Sequence, residues 1–225
     1  IYPDAEKGAI LNARILWSFS AAYRVFSHLS PLSSRLQEYL ETATRAKDYI
    51  IDHFIDKEYG GVYWSLDSEG KPLDTKKQFY AIGFAIYGMS EYARATGDRE
   101  ALECALQLFD CIEEHAFDSE HNGYIEACTR EWGTIADMRL SELDANYPKS
   151  QNTHLHIIEP YANLYRTLKE FRAAESCDYV PAIGSVLPIG ITVPNDDVIR
   201  VEAALRNIIG IFTDKLLTPE TPHLD

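Results

Sequence analysis

A histidine is the side chain whose proton moves most readily near neutral pH, so the stretch Asn152-Thr-His154-Leu-His156 is where chemistry is first sought in this chain. If the stretch is helical, successive residues are about 100° apart, and His154 and His156 diverge by roughly 200°. They cannot share a metal ion, and only one of them can face a cavity. Asn152, His156, Glu159 and Asn163 follow the i, i+4, i+7, i+11 spacing of one helical stripe, while Leu155, Ile157, Ile158, Tyr161, Leu164 and Tyr165 are apolar. Such a stripe is either a solvent face or the wall of a polar pocket. Pro160 favours the pocket, because a proline inside a helix removes an amide donor and crowds the carbonyl four residues earlier, here that of His156.

The elements that position this stripe must come from a chain of 225 residues, 46% hydrophobic, long enough to bury a substantial core. Its 35 acidic and 21 basic residues give a net charge of −14, which repels phosphate backbones and anionic surfaces and argues against nucleic acid or membrane as partner. No apolar run approaches the roughly 20 residues that span a bilayer. The N-terminal residues 1–7 lack a charged-then-apolar leader pattern and begin without methionine, so the native start is read as missing. Cys104, Cys111, Cys128 and Cys177 form no C-x-x-C pair; they read as reduced structural thiols of a cytoplasmic protein, with no metal site.

Helical spacing dominates. It recurs in Leu36, Tyr39, Leu40, Ala43, Ala46, Ile50 and Phe54, and again in Leu102, Ala105, Leu106, Phe109 and Ile112. Gly97 and Asp98 end one helix and cap the next, and Pro194-Asn195-Asp196 announces a helix carrying Val198, Val201, Leu205, Ile208, Ile209 and Phe212. Val62–Leu66 reads as a short strand turned by Asp67-Ser-Glu-Gly70. The loops repeat: Phe54-x-Asp56 before Gly60-Gly61-Val-Tyr63 resembles Phe117-Asp118 before Asn122-Gly123-Tyr124, and Asn12, Gln78 and Asn152 each open an apolar helix followed by a second one. Repeated helical hairpins make an open solenoid or a closed α/α barrel. In a barrel the inner helices are apolar nearly all round, as Phe79, Ile82, Phe84, Ile86, Tyr87 and Met89 suggest, and loops at one end build the pocket.

These residues carry a resemblance. Lys7-Gly8-Ala-Ile-Leu-Asn12-Ala-Arg14-Ile-Leu-Trp17-Ser-Phe-Ser20-Ala-Ala-Tyr23 resembles the first inner-helix signature of the cellobiose 2-epimerases, a group within the N-acylglucosamine 2-epimerase superfamily. Gln78-Phe-Tyr80-Ala-Ile-Gly-Phe-Ala-Ile-Tyr87 and Pro148-Lys-Ser150-Gln-Asn152-Thr-His154-Leu-His156 resemble two further ones. The similarity runs from about Lys7 to Arg166 and resumes at Phe212–Lys215 through His223-Leu224. It implies an all-α (α/α)6 barrel of helical hairpins with short β-hairpin loops, in which residues 1–225 are one domain, the central part of the barrel, incomplete at both ends. It also implies a cofactor-independent isomerase that inverts C2 of a reducing-end aldose, glucose to mannose, in β-1,4-linked disaccharides.

Removing the weakly acidic C2 proton of an open-chain aldose needs a positioned base, stabilisation of the enediolate oxygens, and a second acid/base group on the opposite face. By resemblance, His156 is the pocket histidine that does acid/base work and Asn152 its polar neighbour; the alternative for His156 is a hydrogen-bonded core histidine. His154 is the better candidate for a structural role. Arg14 matches the arginine that holds the developing oxyanion, against the alternative of a salt bridge to a nearby carboxylate. Tyr80 matches a pocket tyrosine that hydrogen-bonds a sugar hydroxyl, and Asp144, in the loop before Pro148, is expected to touch the sugar, against the alternative of a turn former. Trp64 and Trp132 are expected to pack rather than to stack on sugar.

The family's other catalytic histidines lie on later inner helices, beyond Asp225, so the 225 residues are expected to be part of a longer polypeptide; without that part the second acid/base group is absent. Cys177–Pro194, with three prolines and two glycines, departs from the plain outer helix expected there. Other readings are an N-acylglucosamine 2-epimerase and an inactive carbohydrate-binding fragment. A glycoside hydrolase is disfavoured because Glu126 and Asp137, the nearest carboxylate pair, read as solvated loop charges.

Overall fold

In the computed structural model, which describes residues 2, 4–29, 35–175 and 192–216, the helical spacing becomes six helices. They are α1 (Ala9–Leu29), α2 (Arg35–Tyr49), α3 (Phe79–Thr96), α4 (Arg99–His115), α5 (Gln151–Ala174) and α6 (Asn195–Ile211). Single π-helical turns, Ile50–Phe54 and Phe212–Leu216, prolong α2 and α6. The caps are those their residue types dictate. Gly97 closes α3 in the left-handed region at φ 76°, and the Asp98 carboxylate accepts the Ala101 amide at 2.8 Å to open α4.

The helices form two layers of hairpins. α3 packs between α1 and α5, and α2, α4 and α6 back α1, α3 and α5 in turn. The three inner helices run in one direction, since residues of their second turns meet (Arg14, Phe84, His156) and so do residues further along. α3 is accordingly buried nearly all round, whereas Leu11, Val25, Phe26 and Leu29 of α1 and Leu155 of α5 stand exposed on the outer flanks of the arc. Two glycines let α3 approach both neighbours: a Cβ at Gly88 would sit 2.9 Å from the Ala13 carbonyl oxygen, and one at Gly83 only 2.5 Å from that of His156. A buried ionic relay also crosses the layer: Arg24 Nε donates to Glu91 at 2.7 Å, Arg94 Nη1 lies 3.6 Å from the same carboxylate, and Arg94 forks onto Glu170 with two bonds of 2.8 Å.

Short strands tie each inner-helix start to a loop. β1 (Lys7–Gly8) pairs with β2 (Ser65–Leu66), which pairs with β3 (Pro72–Asp74); β4 (Lys77–Gln78) pairs with β5 (Ala127–Cys128). The strand expected over Val62–Leu66 is thus confined to β2. Val62 bridges instead to Ile55 and the Tyr63 amide to the Phe54 carbonyl, so this segment divides its hydrogen bonds between two partners and turns between them.

The loop repeat is reproduced atom for atom. Asp56 Oδ1 accepts the amides of Glu58 and Tyr59, and Asp118 Oδ1 those of Glu120 and His121. In each loop a lysine two residues before the next inner helix closes the turn: Lys77 Nζ donates to Asp56 (2.9 Å) and the Gly60 carbonyl (2.7 Å), Lys149 Nζ to Asp118 (2.6 Å) and the Asn122 carbonyl (2.7 Å). Lys7 holds the equivalent place before α1 and reaches the Asp67 and Ser68 carbonyls. Of the Cys177–Pro194 segment, residues 177–191 lie outside the described residues, as do His223 and Leu224. No helix is long and apolar enough to cross a membrane among the described residues.

Candidate active site

Arg14, Trp17 and Ser18 are spaced i, i+3, i+4 along α1 and so share one face, which meets Phe84 and Tyr87 of α3 and His156 and Glu159 of α5 around an open cleft of about 360 Å³. The cleft lies at the N-terminal end of the inner helices. Its lining is largely aromatic: the Trp17 and Tyr87 rings are 5.1 Å apart and the His156 ring is tilted against Phe84 at 5.0 Å, while Tyr80, edge-on to the His156 ring at 4.6 Å, is not itself among the residues that line the cleft. Over the Phe84 ring, at 4.7 Å, lies the Arg14 guanidinium, a cation–π contact. Arg14 has no carboxylate within ion-pair distance among the described residues, so the salt-bridge alternative is not what the structure contains. Burial raises the Tyr80 phenol above its ordinary pKa, with Arg14 pulling the other way, so its hydroxyl is a donor at neutral pH.

The His156 ring, 22% exposed, presents Nδ1 to Glu159 Oε2 at 2.7 Å. The backbone at this point depends on Pro160. Lacking an amide, Pro160 leaves the His156 carbonyl without its intrahelical donor, and α3 approaches that carbonyl at Gly83. Gly83→Ala is therefore expected to push α5 outward at His156, costing about 1–3 kcal/mol of stability, which thermal melting checks.

His154 is buried and fully engaged. Nδ1 faces the Ser150 carbonyl at 2.6 Å and Nε2 accepts the Tyr124 amide at 3.0 Å, which makes it a neutral Nδ1–H imidazole; burial lowers its pKa in the same sense. His154→Asn should cost about 1–3 kcal/mol by orphaning these groups while leaving turnover near that of the parent, as melting and initial rates would show.

Asn152 and Asp144 are not part of the His156 cleft. They line a separate recess of about 140 Å³ with Glu126, Arg139, Tyr147 and Ser150, one turn nearer the start of α5. The Asp144 carboxylate accepts the Ser141 amide at 2.8 Å and hydroxyl at 2.7 Å, the turn-forming arrangement. The reading of Glu126 as a solvated charge is wrong. It is 5% exposed, accepts the Ser150 amide at 2.7 Å and the Thr153 hydroxyl at 2.6 Å, and so caps α5; burial pushes its carboxyl up in pKa. The pairing of Asp137 with Arg139 at the surface fits the original reading. Trp132 packs between Phe79 and His115, and its indole donates to the Tyr59 carbonyl at 2.8 Å. Trp64 carries the Lys76 ammonium over its ring.

Sequence reasoning placed Glu159 on the stripe with His156 but did not single out Trp17, Phe84 or Tyr87 as cleft residues. The i, i+3 step from Arg14 to Trp17 was the available signal.

The family pattern described as N-acylglucosamine 2-epimerase (GlcNAc 2-epimerase) matches residues 1–165. The chain is 54% identical over 224 residues to a cellobiose 2-epimerase of Bacteroides fragilis, covering 100% of this chain and 48% of that protein. It is 45% identical over 162 residues to the cellobiose 2-epimerase of Ruminococcus albus, covering 72% and 39%. The solved cellobiose 2-epimerase of Bacillus thermoamylovorans superposes with a TM-score of 0.77 at 32% identity, covering 98% of this chain and 47% of that one. The chain thus spans about half the length of the relatives it matches, and its hairpins belong to an (α/α)6 barrel fold that the arc does not itself close.

Proposed function

The chain belongs to the N-acylglucosamine 2-epimerase family, and from that membership and the cleft we propose that it contributes half of the active site of a sugar 2-epimerase acting on cellobiose or a similar β-1,4-linked disaccharide. The observation that carries this reading is the convergence of Arg14 and His156, from two different inner helices, on one cleft with a largely aromatic lining. An open-chain aldose seated there would have its C2 proton taken by His156, while the always-charged Arg14 guanidinium balances the negative charge growing on the enediolate oxygens. Tyr80 would donate to a sugar hydroxyl. Asn152 and Asp144, in the neighbouring recess, would hold more distant hydroxyls, with Asp144 available only if its turn opens. Inversion requires reprotonation from the opposite face, and the group that does this is placed in the remainder of the full-length polypeptide, of which residues 1–225 form one domain. No cofactor is needed for a proton transfer of this kind. A cytoplasmic setting fits Cys104, Cys111 and Cys128, which stand as free thiols.

The test is to incubate the full-length protein with cellobiose in D2O and follow the reducing-end C2 position by NMR, with N-acetylglucosamine in parallel. Deuterium at C2 and a growing mannose-type signal with cellobiose are expected. Exchange with N-acetylglucosamine alone would move the substrate to the acylated monosaccharide, and binding without exchange on either sugar would sink the epimerase reading.

A further inference from the structure

Residues 134–147, the stretch that carries Asp144, contain no buried residue: all are exposed or half-buried, and Leu143 is 97% exposed. Apolar packing therefore does little to hold this loop against the helices. Its hydrogen bonds are mostly its own. Asn146 bridges the two arms, donating to the Ala136 carbonyl at 2.9 Å and accepting the Met138 amide at 3.0 Å, and Asp144 closes on Ser141. Among the described residues, the hydrogen bonds that leave this loop for the rest of the protein come from Gln78, whose Nε2 donates to the Met138 carbonyl at 3.2 Å and the Arg139 carbonyl at 2.9 Å. Gln78 is fully buried and stands at the N-cap place of α3, yet its side chain caps no helix amide. Its Oε1 is buried without a hydrogen-bond partner among the described residues, so the side chain is engaged through its NH2 alone. We propose that Gln78 is a positioning residue that latches this loop to the start of α3, building the wall of the Asn152 recess and setting how tightly a sugar is held there. The inference rests on the reading of that recess as a sugar-binding hollow.

The chemistry of the side chain suits this role. An uncharged NH2 group offers two protons in one plane, enough for two successive carbonyls, and brings no charge into a buried place. Two carbonyl oxygens facing the same end also fix which end of the amide is the NH2. Met138 and Arg139 both line the recess with Asn152 and Asp144. Without the latch the loop would still be braced by Asn146, but it would move as a unit, and a sugar binding in the recess would have to order it. The loss then falls on binding and leaves the chemical step alone, so it raises KM at constant kcat. The same loop holds a built-in reporter. Arg139 is the one lysine or arginine in residues 134–147, and the carbonyl that trypsin must attack there is one that Gln78 holds. Cleavage after Arg139 therefore follows the population in which the latch is open.

The experiment compares the full-length parent with Gln78→Met, Gln78→Glu and Asn152→Ala, measuring tryptic cleavage after Arg139 and the KM and kcat of cellobiose epimerisation. Methionine keeps the length and removes both donors. It should raise the cleavage rate and KM each by about 5- to 100-fold, the range that two ordinary hydrogen bonds supply, with kcat within about twofold of the parent. Saturating cellobiose should slow the cleavage, because a sugar that needs the loop also holds it. In Gln78→Glu a carboxylate faces two carbonyls near neutrality, but the protonated acid regains one donor. Its KM relative to the parent should therefore fall as the pH is lowered from about 8 to about 5. Taking the ratio removes Glu126, whose raised carboxyl titrates in parent and variant alike. If cellobiose does not slow the cleavage in the parent, or Asn152→Ala leaves KM at the parental value, the recess reading fails and this inference with it. If Asn152→Ala raises KM while Gln78→Met is cleaved at the parental rate or keeps the parental KM, only the latch is overturned. Equal defects in the Met and Glu variants at every pH overturn it too, since Gln78 would then serve by packing rather than by its donors.

Discussion

On the function proposed above, His156→Asn in the full-length protein is expected to lower the rate of C2 proton exchange by about 10²–10⁴-fold, the contribution typical of a positioned acid/base group, with melting close to that of the parent. The two halves of this expectation have separate structural grounds. The ring borders the cleft and is 22% exposed, so it contributes little to the packed core. What packs α5 against α3 at this residue is its backbone carbonyl, which faces Gly83 and is unaffected by the side chain. Asparagine is near enough in size to leave Tyr80 and Phe84 in place but supplies no group that titrates near neutrality. Exchange in D2O read by NMR measures the chemistry, and a melting curve measures the fold. Parental exchange would remove His156 from the mechanism; a large fall in melting temperature would show that the ring is structural after all.

The largest stability effect is expected at Asp56. Its carboxylate is fully buried and holds Lys77, also fully buried, at 2.9 Å and the Arg130 guanidinium at 2.8 Å, while accepting two loop amides. Asp56→Asn keeps the size and leaves two cations facing a neutral amide, which costs about 3–5 kcal/mol when a buried pair loses one partner. For a chain of this size that lowers the melting temperature by about 6–20 °C. Adding Lys77→Met should recover part of the loss, because the uncompensated ammonium is then gone. A single variant melting within about 2 °C of the parent would show that the pair carries no net stabilisation.

The pH dependence follows with a definite sign. Burial opposes ionisation of Asp56, but Arg130 and Lys77 outweigh it and hold the carboxyl well below the ordinary carboxylate range. A group whose folded pKa is depressed stabilises the fold above its unfolded value, about 3.9, and loses that contribution as the pH falls toward the folded value. Parent and variant should therefore differ fully near neutrality and converge below about pH 4.

What the sequence made legible was local. The helices of the inner layer follow from apolar spacing, and the Gly97 and Asp98 caps from the chemistry of those two residues. The loop repeat was half visible, in its Phe, Asp and Gly positions. Lys77 and Lys149 were not seen as part of it, because they act across 21 and 31 residues and unequal separations carry no periodic signal. Glu126 was misread for a related reason: a carboxylate in a loop is solvated until another element covers it, and only tertiary packing brings Ser150 and Thr153 over it. Within the site, helix spacing put Asn152, His156 and Glu159 on one stripe but could not divide them between two hollows. That division depends on which neighbouring helix or loop each faces, Phe84 and Arg14 for His156 and the Asp144 loop for Asn152.

The lysine–aspartate closures have a consequence for recognition. Each one fastens a loop to the first residues of the inner helix that follows, so the rim above the inner helices is held by buried or half-buried charge rather than by contact with any guest. The conformational entropy of that rim is surrendered when the chain folds. A ligand bound at this end of the inner helices would therefore not meet the cost of ordering these two loops.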